Sequence, residues 1–205
     1  MLETIFSVIV ILYSVILHEL AHGLMARSLG DDTAKYAGRL TLNPLPHLDL
    51  FGSILLPLLT WQFGGFIFGY AKPVPYNPLN LRDQKYGPAK VAAAGPLSNL
   101  ILAVLFGLLL RFLPSELLSP ELARSISFIV LLNIGLAVFN LMPIPPLDGH
   151  WLLLTFLPDR WNQLKQAFVR FGLPLFVIFL LFFSRLLSPL ISFLFSVIVG
   201  TRAYI

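Results

Sequence analysis

Cysteine is absent from this chain of 205 residues, and charged side chains make up only 12% of it. Without cysteine there is no disulfide framework and no metal site built on thiolates, so a bound metal would need histidine and carboxylate ligands. Soluble domains carry roughly twice this fraction of charged residues. The net charge of +4 is not gathered into a basic patch with interleaved aromatic residues, so we expect no nucleic-acid partner.

Long apolar runs account for most of the sequence, which is 57% hydrophobic. A helix needs about 20 predominantly apolar residues to span a bilayer. The runs at residues 2–29, 90–113 and 125–142 meet this requirement, and residues 172–199 form either one long irregular helix or two short segments. The predicted fold class is an all-α polytopic membrane protein, with a single integral-membrane domain over residues 1–205.

The first apolar run contains an H-E-x-x-H motif. His18 and His22 are four residues apart, which places them on one face of a helix, where two imidazoles can hold one Zn²⁺. Glu19 lies between them and can act as a general base toward a water at the metal. The motif also occurs by chance in soluble helices, but ionisable groups are costly inside a membrane and indicate a function there.

A third ligand is needed to complete such a zinc site. The apolar helix 125–142 is broken at Pro143, and Asp148 follows the break. Unwound backbone at membrane depth is tolerated only where it lines a cavity or is buried in protein. We therefore predict that Asp148 is the third ligand, and we rank His150, two residues further on, below it.

The polar loop after the first helix offers two further candidates, His47 and Asp49. Either residue can approach the metal, but we favour the simpler role of ordering the loop. The alternation of apolar and polar residues at 38–44 favours a short strand, which Pro44 then ends.

Two asparagines in the later apolar helices are candidate active-site groups. Asn99 follows Pro96 and a run of small residues, so it belongs either to a helix-packing face with a kink or to the active site. Asn140 lies near the end of its apolar run. Either amide can donate a hydrogen bond to the oxyanion of a tetrahedral intermediate, and the sequence does not choose between them.

The position of Asp148 constrains the membrane topology of residues 30–89. If Asp148 shares one metal ion with His18 and His22, the first helix and the helix before Asp148 end toward the same side of the membrane. The chain must then cross the membrane an even number of times between residues 30 and 89. One additional crossing would place Asp148 up to about 30 Å from the histidines.

The apolar segment 51–70 is therefore predicted to dip into the membrane and return, or to lie in the interface. Pro57 and the pair Gly64 and Gly65 are suited to a turn within it. On this topology most basic residues lie on the side where the first helix ends, and the positive-inside rule makes that side cytoplasmic.

Three motifs, taken together and in order, resemble the site-2 protease family of intramembrane zinc metalloproteases. They are H-E-x-x-H at residues 18–22, A-G-P-x-x-N at 94–99 and N-x-x-P-x-P-P-L-D-G at 140–149. The resemblance implies a core of three spanning helices over residues 1–157, followed by C-terminal membrane segments in 158–205. Many relatives carry an appended peptide-binding or nucleotide-binding module, for which we expect no room in this chain.

The resemblance also implies a function. It implies one Zn²⁺ per chain held by His18, His22 and Asp148, Glu19 as catalytic base, and cleavage of membrane proteins in or near their transmembrane segments. The protein would be a multi-pass component of the cell inner or plasma membrane, with its site toward the cytoplasm. Two alternatives remain, a membrane metal-binding or transport protein and an inactive scaffold. The internal repeats typical of transporters are not visible, and a scaffold would not need Glu19.

Overall fold

The computed structural model describes residues 1–64 and 69–200. The α-helices in this part of the chain are α1 Leu2–Ser28, α2 Thr33–Tyr36, α3 Leu56–Gly64, α4 Gly87–Phe112, α5 Pro120–Asn140, α6 Gly149–Phe156, α7 Asn162–Arg170, α8 Gly172–Ile178 and α9 Leu187–Val199. Single 3-10 turns and two π-helical stretches connect some of them, and no strand occurs among the described residues. The all-α fold is confirmed.

Four stretches of the described residues are long and apolar enough to cross a membrane. They are Leu2–Ser28, Gly87–Phe112, Pro120–Asn140 and Gly172–Val199, which confirms a polytopic membrane protein. The chain divides into two compact units, Met1–Gly87 and Pro88–Ile205, and we describe each unit separately.

In the first unit, α1 carries the H-E-x-x-H motif and ends where the sequence predicts. The chain leaves the helix through Gly30, whose φ of +108° lies in a region that side chains rarely adopt. The N–H of Asp31 then donates to the carbonyl of Ala26, 3.0 Å away. This turn sends the chain back along the end of α1.

The prediction of a strand at 38–44 is wrong. Gly38 has a φ of +67°, and the residues after it form bends and a 3-10 turn at Leu45–His47. Local hydrogen bonds take the place of a ladder, because the Thr41 hydroxyl accepts from the N–H of Asn43 and the Asn43 side chain accepts from the N–H of Leu45. Such short polar side chains compete with sheet pairing by bonding their own backbone.

The apolar segment 51–70 returns to the place where it starts. A π-helical stretch Leu50–Leu55 leads into α3, yet the N–H of Tyr70 donates to the carbonyl of Gly52, 3.0 Å away. The Ser53 hydroxyl donates to the carbonyl of Tyr70 at 2.9 Å. The two ends are therefore side by side, as an even number of crossings requires. The turn predicted at Gly64 and Gly65 falls partly on residues 65–68, which lie outside the described residues.

In the second unit, α4, α5 and α9 pack around one apolar core. Gly107 of α4 lies against Ile198 of α9, where a Cβ on the glycine would be 2.3 Å from the isoleucine. Other buried members of this core include Ala103, Leu110, Ile126, Val130 and Phe195. The late part of α9 thus packs against the late part of α4 and the early part of α5.

The segment Gly172–Val199 is one continuous but irregular helical run, the first of the two alternatives left open by the sequence. At its beginning, Phe176 and Phe179 contact Phe139 near the end of α5, with ring centroids 6.2 and 6.0 Å apart. At its end, Phe195 and Val199 join the core beside the start of α5. The segment therefore runs antiparallel to α5, with its helical pattern interrupted over residues 179–186.

Candidate metal centre

The two histidines of the motif converge on one point. His18 and His22 are buried on one face of α1, and their Nε2 atoms lie 3.1 Å apart, with the rings nearly perpendicular at 86°. Two imidazole nitrogens bound to the same tetrahedral zinc are about 3.3 Å apart, given Zn–N distances of roughly 2.0–2.1 Å. The pair is therefore already arranged as two ligands of one ion, and the residues present suit zinc.

Glu19 lies between the histidines, is half-buried and accepts a hydrogen bond from a backbone N–H. Its Oε2 atom accepts a 2.8 Å hydrogen bond from the backbone N–H of Val74. Val74 belongs to residues 72–77, which lack regular secondary structure and which we call the strap. The strap thus lies directly against the motif helix.

Arg39 ties the beginning of the strap to the polar loop. Its side chain is only 6% exposed, and its Nη2 atom donates to the carbonyls of Lys72 and Pro73 at 3.1 and 3.0 Å. The N–H of Lys72 in turn donates to the carbonyl of His47 at 2.9 Å. Hydrogen bonds from a charged group are the stronger kind, so this attachment is firm.

Asp31 holds the other end of the strap and is fully buried. Its carboxylate accepts from the N–H of Asn77 at 2.7 Å, from the Asn80 amide at 2.8 Å and from Thr33. Burial acts to raise the pKa of Asp31, but these hydrogen bonds outweigh it and lower the pKa below the ordinary aspartate value.

His47 and Asp49 have the loop-ordering roles that we favoured from the sequence. The Nε2 atom of the buried His47 lies 2.9 Å from the carbonyl of Thr41. Asp49 caps the stretch Leu50–Leu55 by accepting from the N–H of Gly52 at 2.7 Å. Both side chains are engaged in holding their own loop.

In the second unit, Asp148 is placed by a sharp fold of the chain after α5. α5 ends at Asn140, and the next helix, α6, begins at Gly149 with Asp148 in the capping position. A Cβ on Gly149 would lie 2.1 Å from the carbonyl oxygen of Leu141, so only glycine allows this return. The half-buried Asp148 is thereby held close to the end of α5, and its role as a ligand remains a prediction.

His150, the lower-ranked candidate, is bound to its own segment. It is buried, and its Nδ1 atom lies 2.6 Å from the carbonyl of Leu147. Its ring also packs on that of Trp151, with centroids 4.8 Å apart. These contacts fix one nitrogen of the ring within the turn that leads into α6.

The two candidate asparagines are also engaged. Asn99 is fully buried, and its amide donates to Asn133 of α5 at 2.8 Å, while Asn133 donates to the carbonyl of Ile129. Asn140 donates to the carbonyl of Leu136, one turn earlier in α5, at 2.9 Å. The Asn99 contact is the interhelical packing that small residues and amides provide in membrane proteins.

The strap is the part of the site that we did not identify from the sequence. The group that contacts Glu19 is a backbone N–H, which has no residue-type signature. The sequence could have indicated a role for Arg39 and Asp31, because charged residues beside a membrane helix that become buried need dedicated hydrogen-bond partners. The partners of Arg39, and Asn77 and Asn80 opposite Asp31, lie 33 or more positions away and depend on the tertiary fold.

Comparison with known proteins identifies similarity to one family of peptidases. A model of peptidase family M50 matches residues 6–117 and 114–183. The chain is 38% identical over 194 residues to YwhC of Bacillus subtilis (strain 168), covering 92% of this chain and 83% of YwhC. It is 35% identical over 161 residues to Rip2 of Mycolicibacterium smegmatis, covering 76% of this chain and 59% of Rip2.

Both relatives carry the name "Putative zinc metalloprotease". The chain spans most of YwhC but less than two thirds of the length of Rip2. No solved structure matches the chain.

Proposed function

Because this chain belongs to peptidase family M50 and is a zinc-dependent peptidase of the membrane, we propose that it hydrolyses peptide bonds in or near the transmembrane segments of other membrane proteins. The observation that supports this substrate class most directly is the location of the motif. His18, Glu19 and His22 lie in the second half of an apolar helix, Leu2–Ser28, that is long enough to span a bilayer.

The proposed ligands are His18, His22 and Asp148. The paired histidine nitrogens supply two positions, and a carboxylate is an accepted third ligand for a catalytic zinc that keeps one position open. When bound, zinc polarises the carbonyl under attack and makes water a nucleophile near neutral pH.

Glu19 moves the proton in this proposal. Its carboxylate takes a proton from the attacking water and later delivers it to the leaving amine. Asn99 and Asn140 remain candidates for the oxyanion donor. Each amide already donates to one partner, Asn133 or the carbonyl of Leu136, and would have to turn away from it or use its second N–H. Of the two, Asn140 has the local partner, so a change of rotamer is enough to release it.

The substrate segment has to unwind before it can react. Amides of a helix are hydrogen-bonded within the helix and shielded by side chains, so a susceptible bond lies where the helix is weak. We place the site toward the cytoplasmic side, because the basic residues cluster on the side where α1 ends.

One experiment separates this function from metal transport and from an inactive scaffold. Wild type and Glu19→Gln are reconstituted in liposomes that enclose a zinc-sensitive dye, together with a single-span reporter whose leucine-rich segment carries a central Asn-Pro pair. We expect wild type alone to cleave the reporter, both proteins to bind zinc, and neither to admit zinc. Zinc entry would indicate a transporter. Absence of cleavage by wild type would indicate an inactive scaffold, and equal cleavage of the reporter by the two proteins would show that Glu19 is not the base.

A further inference from the structure

The strap and α1 approach each other unusually closely. Gly23 follows Glu19 by four residues and so lies on the same face of α1. A Cβ on Gly23 would be 2.6 Å from Leu40 and 2.9 Å from the Cγ1 atom of Val74. The missing side chain makes room for Val74, which is 6% exposed, and brings its backbone within hydrogen-bonding distance of Glu19.

The strap is also held at both ends, independently of its contact with Glu19. Arg39 binds the carbonyls of Lys72 and Pro73, immediately before Val74. Asp31 binds the N–H of Asn77, three residues after it. Prolines at 73 and 75 restrict the backbone between these anchors. The N–H of Val74 is therefore presented from a segment with little freedom to move.

A general base works only when its carboxylate faces the proton that it removes. A glutamate side chain has three rotatable bonds, and fixing it in the productive direction lowers the entropy cost of reaching the transition state. A backbone N–H within a tethered segment is suited to this task, since it cannot rotate away as a side-chain donor can.

We propose that the N–H of Val74, held in place by Arg39, is a positioning group that orients Glu19 for proton transfer. This inference rests on the proposed function, in which Glu19 is the base. In this proposal Arg39 acts by holding the strap in place and not by binding the metal. The competing idea, that the strap blocks Glu19 and must leave before catalysis, predicts the opposite change in rate.

Val74→Pro tests the proposal because it removes the N–H from which Glu19 accepts. Valine and proline have side chains of similar size, and the position already lies between two prolines. With the single-span reporter, we expect kcat to fall roughly tenfold, the effect of losing one hydrogen bond to a charged group. KM and zinc content should stay at the wild-type values, because neither binding of substrate nor of metal involves this group.

Two controls distinguish the loss of the N–H from general damage to the strap. Ala71→Pro introduces a proline just before the strap, at a residue whose N–H donates to no other described residue, and should leave kcat unchanged. Val74→Ala keeps the N–H and shows the effect of trimming the side chain over Gly23. Wild-type kcat in zinc-loaded Val74→Pro, or a faster rate, would overturn the proposal.

Hydrogen exchange provides a readout that does not depend on activity. Prolines at 73 and 75 have no amide hydrogen, so Val74 supplies the sole exchangeable backbone site between Lys72 and Tyr76. We expect slow exchange at this site in wild-type protein and clearly faster exchange in Glu19→Ala. Equal exchange in the two proteins would show that the Val74 to Glu19 bond does not persist in solution.

Arg39 is tested by a graded pair of variants. Arg39→Ala removes the anchor of Lys72 and Pro73 and should lower kcat as Val74→Pro does. Arg39→Lys retains a donor that reaches one carbonyl and should restore part of the rate. If both variants keep the wild-type kcat, Arg39 is not a positioning residue. Absence of reporter cleavage by zinc-loaded wild type would instead overturn the proposed function itself, so the two failures are distinguishable.

Discussion

The Nε2 atoms of His18 and His22 lie 3.1 Å apart within α1, close to the separation of two imidazole nitrogens on one tetrahedral zinc. The arrangement leads to a direct prediction about metal content. Wild-type protein in detergent should contain about one zinc per chain, and His22→Ala and Asp148→Ala should each lose it or bind it far more weakly. Elemental analysis together with zinc titration measures both quantities.

His47→Gln is the matched control for that experiment. A glutamine amide can still donate to the carbonyl of Thr41, which His47 now contacts, so the loop should remain intact and the zinc content unchanged. If Asp148→Ala retained zinc at full affinity while His47→Gln or a His150 variant lost it, the third ligand would have to be reassigned.

Gly149→Ala should damage the fold at the turn that carries Asp148. The added Cβ would meet the carbonyl oxygens of Leu141 and Met142 at 2.1 and 2.5 Å, and backbone cannot move aside as a flexible side chain can. We expect a loss of roughly 1–3 kcal/mol or more in stability, as for other overpacked sites. Thermal unfolding in detergent measures it.

Gly135→Ala, in the same unit, is the control in which the added Cβ has room. Apart from the adjacent residues and the local helix backbone, no atom of the described residues lies within 4 Å of a Cβ at this position of α5, and alanine is the better helix former by about 1 kcal/mol. This variant should therefore be as stable as wild type or slightly more so. A larger loss for Gly135→Ala than for Gly149→Ala would contradict the described packing.

Low pH should lower the stability of the first unit, because the Asp31 carboxylate becomes protonated. Hydrogen bonds lower the pKa of Asp31 in the folded protein, so its stabilising contribution is present above the unfolded value, about pH 4, and is lost as the pH falls through the lower folded value. Asp31→Asn should be less stable at neutral pH by roughly 1–3 kcal/mol, because one of the two acceptor oxygens becomes an NH2 donor that faces another donor. Its unfolding temperature should depend less on pH below 4 than that of wild type.

Asp159→Asn serves as the control for this pH series. The Asp159 side chain is 96% exposed and pairs with Lys165 at 3.5 Å, and exposed pairs contribute little to stability. The unfolding temperature of Asp159→Asn should depend on pH as that of wild type does. If Asp31→Asn followed the wild-type curve as well, the Asp31 carboxylate would not be the acid-sensitive group.

The natural absence of cysteine makes membrane topology directly testable. Single cysteines at the exposed positions Lys35, Lys85 and Glu116 can be treated with a membrane-impermeant thiol reagent. We expect Glu116→Cys to react in intact cells, and Lys35→Cys and Lys85→Cys to react only after permeabilisation. Labelling of Lys35→Cys and Lys85→Cys from opposite sides would mean that residues 30–89 cross the membrane an odd number of times.

The sequence was most informative where a single helix or a length argument determines the geometry. The convergence of His18 and His22 follows from helical periodicity alone, and the return of segment 51–70 agrees with the even number of crossings that a metal shared with Asp148 would require. The prediction of a strand at 38–44 failed because Thr41 and Asn43 bond their own backbone. Alternation of residue types does not reveal this competition.

The contacts of the strap could not be predicted for a different reason. Glu19 and Val74 are 55 positions apart, and the donor is a backbone group that every residue except proline possesses. The partners of Arg39 are likewise two backbone carbonyls. Asn99 was open to two interpretations, and only the placement of Asn133 opposite it identified a contact between helices.

In the proposed function, a zinc site on a membrane-spanning helix cleaves peptide bonds in or near a transmembrane segment of the substrate. Mass spectrometry of the single-span reporter, after incubation with zinc-loaded wild type or zinc-loaded Glu19→Gln in liposomes, tests it most directly. We expect two fragments from wild type, with the new termini at or beside the Asn-Pro region of the apolar segment, and intact reporter with Glu19→Gln. Cleavage confined to soluble flanks far from the membrane, or equal cleavage by both proteins, would contradict it.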